Sequence, residues 1–191
     1  MLALHRFHEV YGGFPAAYSA NKEGKPLLSW RVALLPYLGQ QALFKEFRLD
    51  EPWDSDHNKT LIAKMPVLFR APGSKADPGM TTYLGVGGKS GVIAWPAVRM
   101  TQILDGTANT LAIVEVSDKA AVPWTKPEQW AFDPTDPLKD FAGLSSEAMF
   151  ASLVDGEVVR IPKTTPPEML RRMFDREDGL LIDWPPPIPQ P

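Results

Sequence analysis

The run Asp105-Gly106-Thr107-Ala108-Asn109-Thr110 puts hard oxygen ligands at its first, third and fifth positions, the opening spacing of a calcium loop. Asp105, Thr107 and Asn109 are therefore the metal candidates of the chain. No glutamate completes the loop at EF-hand spacing, and Asp, Thr and Asn also build side-chain-to-backbone turns without an ion, so a structural turn is the stronger reading. His5 and His8 lie three apart on one helical face, close enough to share a ligand. Two imidazoles without a third ligand seldom hold a metal, which leaves them as helix-surface residues. Gly85-Val86-Gly87-Gly88 ends a strand without the Lys-Ser/Thr or helix start that would cradle a phosphate, and reads as a turn. No nucleophile elbow, zinc-protease helix or dinucleotide fingerprint occurs, so the residue chemistry names no catalytic residue and no cofactor, with calcium the alternative.

A second polar centre lies inside the densest apolar stretch. Residues 29–55, SWRVALLPYLGQQALFKEFRLDEPWDS, gather Trp30, Pro36, Tyr37, Trp53 and a set of leucines around Arg31, with Asp50, Glu51 and Asp54 at the far end. The planar guanidinium suits a bidentate carboxylate, and either Glu51 or Asp54 is near enough in sequence to supply one. In so apolar a setting the expected role is a structural ion pair.

These residues are positioned by short elements. Leu4, Phe7 and Tyr11 predict an amphipathic helix over residues 1–11, ended by Gly12 and Gly13; its apolar face reaches the first residue, as if the helix once continued upstream. Residues 14–28 read as a surface loop. Ser29 caps a helix through Leu35, Pro36 breaks it, a second helix runs from about Gln40 to Phe47, and Asp54, Ser55 or Asp56 caps a third over 57–65. The second half turns to short branched and aromatic runs, 81–86, 110–116, 149–154 and 157–161, which are strands. Asp155-Gly156 between the last two signals a two-residue hairpin turn. The proline-punctuated, aromatic stretch 118–147 predicts a loop packed on the body, and Thr165-Pro166-Pro167-Glu168 a capping box opening a helix to about Phe174. Helices first and antiparallel strands later indicate an α+β domain over residues 1–184, followed by a proline-rich tail, 185–191.

The totals agree. A chain of 191 residues with 44% hydrophobic and 23% charged residues suits one globular domain. A net charge of −3 and a pI of about 5.6 provide no basic field for nucleic acid. With no cysteine, thiolate metal sites and disulfides are excluded, and no apolar run has the length of a membrane span.

Residues 29–58, SWRVALLPYLGQQALFKEFRLDEPWDSDHN, closely resemble domain-of-unknown-function family 1559, a large planctomycete-type bacterial family with pilin-like or pseudopilin-like members. The runs TQILDGTANTLAIVE (101–115) and SLVDGEVVRIPKTT (152–165) resemble the family's strand entry and closing hairpin, and LALHRFHEVYGGFPAAY (2–18) the end of its leading helix. Relatives carry an N-terminal membrane anchor that this sequence lacks, and a histidine- and glycine-rich run where this one has Leu144-Ser145-Ser146-Glu147-Ala148. The resemblance implies a pilin-like fold, an N-terminal helix and short helices packed on an antiparallel sheet. It also implies a periplasmic or extracellular cell-envelope setting and a non-enzymatic role in structure, self-assembly or protein contact. The alternative is an extracellular calcium-dependent binding module built on residues 105–109.

Overall fold

The computed structural model describes residues 1–133, 135, 136, 138–141, 148–180 and 182, apart from the Lys139 side chain. The predicted tail, 185–191, and the 144–147 run lie outside the described residues.

Helix α1, Leu2–Tyr11, ends at Gly12, whose φ of 74° is the left-handed geometry a helix terminus uses. Ala3 and Leu4 are buried and Phe7 half-buried, but Tyr11 is exposed, so the inner stripe is narrower than its spacing implies. The predicted surface loop that follows is instead a hairpin, β1 (Tyr18–Ala20) against β2 (Pro26–Ser29). Leu27, Leu28 and Phe14 are buried there, and apolar burial overrides the polar turn formers around them.

Ser29 caps α2 as expected, its Oγ accepting the Arg31 amide at 3.3 Å. The helix is a single turn, Trp30–Ala33, because Pro36 lacks an amide hydrogen; the chain continues as a 3-10 turn over Leu35–Leu38 and then α3, Gln41–Glu46. The third predicted helix is a 3-10 run over Asn58–Lys64 whose cap position is His57, with no side-chain cap; none of the three candidates occupies it, although Ser55 Oγ accepts the Asn58 amide at 3.0 Å from two residues further back.

Beyond the β1–β2 hairpin, the strands among the described residues form a four-stranded antiparallel sheet and a second two-stranded pair. The pair is β3 (Met80–Thr81) with β6 (Val122–Pro123). The sheet has the order β4 (Tyr83–Gly85), β5 (Leu111–Glu115), β7 (Ala148–Leu153), β8 (Val158–Pro162), so the fold is α+β. β4 and β8 are its edges, and β8 carries exposed Arg160 and ends in Pro162. Gly85 has Ile93 packed where a Cβ would sit, 2.7 Å away, which explains the glycine by close approach. The β7–β8 turn is a three-residue loop, not the two-residue turn expected. Leu153 N–H donates to Glu157 O at 2.9 Å, Gly156 N–H to Leu153 O at 3.1 Å, and Gly156 takes φ 103°, a bulge geometry that Asp-Gly also satisfies.

Period-two alternation divides the sheet. Leu84, Val114, Ala151, Val159 and Ile161 point to one face and pack under α4, Pro167–Phe174, with Leu170, Met173 and Phe174. The stretch after Asp118 is packed, as predicted: Trp130 and Phe141 join this cluster, and Trp124 is fully buried between Phe47 and Phe69. The capping box before α4 does not form. Pro166 takes the cap position, and Glu168 turns forward to Arg171 at 3.0 Å and Arg172 at 3.3 Å.

Those arginines hold the Glu168 carboxyl at about 2, below its ordinary 4.5. A depressed carboxylate stabilises above the ordinary value and loses that contribution as pH falls through the depressed one. The Glu168 side-chain carbon signal should titrate near pH 2 by NMR, moving toward the ordinary value in Arg171→Gln.

Candidate functional site

Arg31 is wholly buried and is not paired with either acid expected of it. Its Nε and Nη2 donate to Tyr83 O at 3.1 and 2.6 Å, its Nη1 donates to Ser29 Oγ at 2.8 Å, and its guanidinium lies 4.9 Å from the Trp30 ring centre. Glu51 pairs with Arg48 at 3.0 Å and Asp54 is exposed. Sequence proximity misled because β4, more than fifty residues away, supplies the acceptor. Tyr83 directs both backbone groups away from β5, its amide donating to Thr81 Oγ1 at 3.1 Å, so Arg31 satisfies an edge carbonyl of the sheet. Burial pushes the guanidinium down to about 9, opposed by the charge of Glu128.

The other marked residues of the motif serve packing. Trp53 is half-buried, its amide donating to Leu27 O at 2.9 Å; Pro36 and Tyr37 belong to the 3-10 turn, and Tyr37 meets Phe7 edge-on at 5.7 Å. Neither histidine of α1 is left as a free surface group. His5 Nε2 lies 2.7 Å from Val154 O, and His8 Nε2 accepts the Met100 amide at 3.2 Å.

At the candidate calcium loop the side chains are turned to protein partners. Asp105, 3% exposed, accepts the Gly179 amide on Oδ1 at 2.7 Å and the Asp178 amide on Oδ2 at 3.1 Å. Asn109 Nδ2 donates to Asp105 O at 2.9 Å, and Thr107 contributes its backbone oxygen to the Asp155 amide at 3.1 Å. Burial pushes the Asp105 carboxyl up, with Asp178 and Asp175 adding to the shift and the two amide bonds opposing it. Among the described residues no cluster of three His, Asp or Glu side chains is placed for a metal. The turn joins the chain after α4, as does Arg176, a residue the sequence did not mark: its Nη1 donates to Lys89 O at 2.7 Å and Gly91 O at 2.8 Å.

Two grooves have room for a partner, one of about 670 Å³ between α1, β1 and the 29–55 motif, lined by Tyr11, Tyr18, Tyr37 and Trp95, and one on the other face of the four-stranded sheet. The groove on the sheet, of about 590 Å³, is floored by Tyr83, Ile113, Glu115, Phe150, Ser152 and Val158. Ala3 and Leu4 of α1, Met1 just before it, and Trp30, Leu34 and Leu38 of the motif wall one side, with Leu68, Phe69 and Pro72 also lining it. Phe150, Val158 and Leu68 are exposed although apolar. Trp30 Nε1, buried, has no hydrogen-bond partner among the described residues. Period-two alternation in residues 149–154 and 157–161 was the signal for this face: Phe150, Ser152 and Val158 fall opposite the core-facing set.

The comparisons name no chemistry for this domain. A family model described as "Protein of unknown function (DUF1559)" matches residues 1–83, bearing out over that stretch the resemblance carried by the 29–55 motif. No curated protein and no solved structure matches the chain. No helix among the described residues is long and apolar enough to cross a membrane.

Arg31→Ala leaves the Tyr83 carbonyl unsatisfied and opens a cavity, and should cost about 3–5 kcal/mol in urea unfolding; an unchanged midpoint would refute the structural role. Asp105→Ala should speed hydrogen exchange at the Asp178 and Gly179 amides and cost about 1–3 kcal/mol. Saturating calcium should leave the melting temperature of the native chain unmoved, whereas a bound ion would raise it.

Proposed function

We propose that this is a non-enzymatic, pilin-like domain of the bacterial cell envelope that acts by protein contact, seating an apolar helix from a partner polypeptide on the half-covered face of its sheet. The groove carries the reading. An antiparallel sheet that leaves one face to water carries polar residues there, whereas here α4 and the aromatic loop cover one face and the other, only walled by α1 and the 29–55 motif, exposes Phe150 and Val158 with Leu68 beside them. The open strip is apolar and already has helices beside it, so a helix laid along it would complete the layer. The envelope setting and the pilin-like role come from the family resemblance, which the match over residues 1–83 supports at the level of the family alone.

The test is a photoreactive residue in place of Phe150 in the full chain, expressed in its own cells, with the cross-linked segment sequenced by mass spectrometry. An apolar helical segment of another polypeptide, recovered in the envelope fraction, is expected. A product confined to the cytosol, or cross-links only to lipid, would overturn the reading.

A further inference from the structure

Glu115 stands on the floor of the groove, half-buried, and forms no hydrogen bond or ion pair with any described residue. Its place follows from register. Tyr83 pairs with Glu115 across β4 and β5; one residue on from the Val114–Ala151 pair, Phe150 of β7 lies beside it, and Phe150 in turn pairs with Arg160. The carboxylate therefore sits between an aromatic ring on either side, in a groove whose remaining floor and walls are mostly apolar. The groups that bear on it electrostatically do not neutralise it: Asp118 repels it, the Tyr83 phenol is pushed up by burial and then by the Glu115 charge, and Arg160, at the far end of the row, has a partner of its own. Desolvation is the main cause of its raised pKa.

Covering such a group with a purely apolar helix would bury a charge without compensation, a cost that discriminates between partners. A cation brought to the same point would recover the attraction in a medium less polar than water, with Tyr83 and Phe150 on the neighbouring strands. We infer that Glu115 makes the groove selective for a helix that carries a lysine or arginine within its apolar stripe, the ammonium or guanidinium pairing with the Glu115 carboxylate. The inference rests on the reading of the groove as a helix seat and adds to it the charge of the partner.

Three helical peptides of about 18 residues, roughly 27 Å long, test the two separately. They share one apolar stripe and differ at its centre, which carries Lys, norleucine or Glu, and their affinities for the native chain and for Glu115→Gln are measured by calorimetry. The Lys peptide should bind the native chain about tenfold more tightly than the norleucine peptide, the Glu peptide more weakly than either, and the Lys advantage should shrink with salt. In Glu115→Gln, confirmed folded by circular dichroism, the Lys advantage should vanish while norleucine binding is kept. Equal binding of all three to the native chain would overturn the charge selection and leave the helix seat standing. Binding of none would overturn the seat and the selection with it. If decylammonium binds and displaces every peptide at equal concentration, the groove is a site for small amphiphiles, and the helix partner is overturned.

Discussion

The guanidinium of Arg31 lies where the two halves of the molecule meet. It belongs to the one-turn helix after Ser29, and its fork reaches Tyr83 O on the outermost strand of the four-stranded sheet at 2.6 and 3.1 Å. The same strand edge is closed a step further on by Trp130, whose amide donates to Gly85 O at 2.9 Å and whose carbonyl accepts from Gly87 at 2.8 Å. A buried cation is costly to desolvate, and in this setting it is held by a carbonyl, a hydroxyl and an indole face, without an ion pair. Such an arrangement holds only if β4, Thr81 and Phe69 keep their places, since Thr81 Oγ1 accepts the Tyr83 amide and donates to Phe69 O at 2.7 Å. The motif and the sheet edge are thus mutually dependent, and the groove wall formed by Trp30, Leu34 and Leu38 depends on both.

Around this junction the apolar residues sort into three clusters instead of one. One lies between the sheet and α4, one around α1 and the 92–103 segment, and one around Trp124 and the 29–55 motif. The clusters are joined by polar fastenings: Asp105 and Arg176 secure the chain beyond α4, while Trp124 Nε1 donates to Ile62 O at 3.0 Å. Short elements and many prolines make this pattern intelligible, because no single helix among the described residues is long enough to organise the whole interior.

Local rules read well from the sequence wherever a local force decides. The Ser29 cap, the break at Pro36, the Gly12 terminus and four of the strands are set by neighbours within a few residues. The misreadings are those in which a distant group wins. Residues 14–28 look like a loop until Leu27 and Leu28 find Trp124, Arg31 looks ready for Glu51 until Tyr83 supplies the carbonyl, and Glu168 looks like a cap until Arg171 and Arg172 claim it. The charge of Glu115 could be seen at once, but its isolation could not, because that depends on which residues of β4 and β7 face it.

The two borders of the sheet are unlike. On the β4 side, the amide and carbonyl of Tyr83 and the carbonyl of Gly85 are already consumed by Thr81, Arg31 and Trp130. On the β8 side, an exposed arginine stands mid-strand and a proline without an amide hydrogen closes it, both devices that deter an incoming strand. Growth of the sheet by strand addition, the commonest accident of exposed β-structure, is therefore obstructed at each end. Contact with another chain is thereby directed to side-chain surfaces, and the hydrogen-bonded ladder is kept within the one sheet.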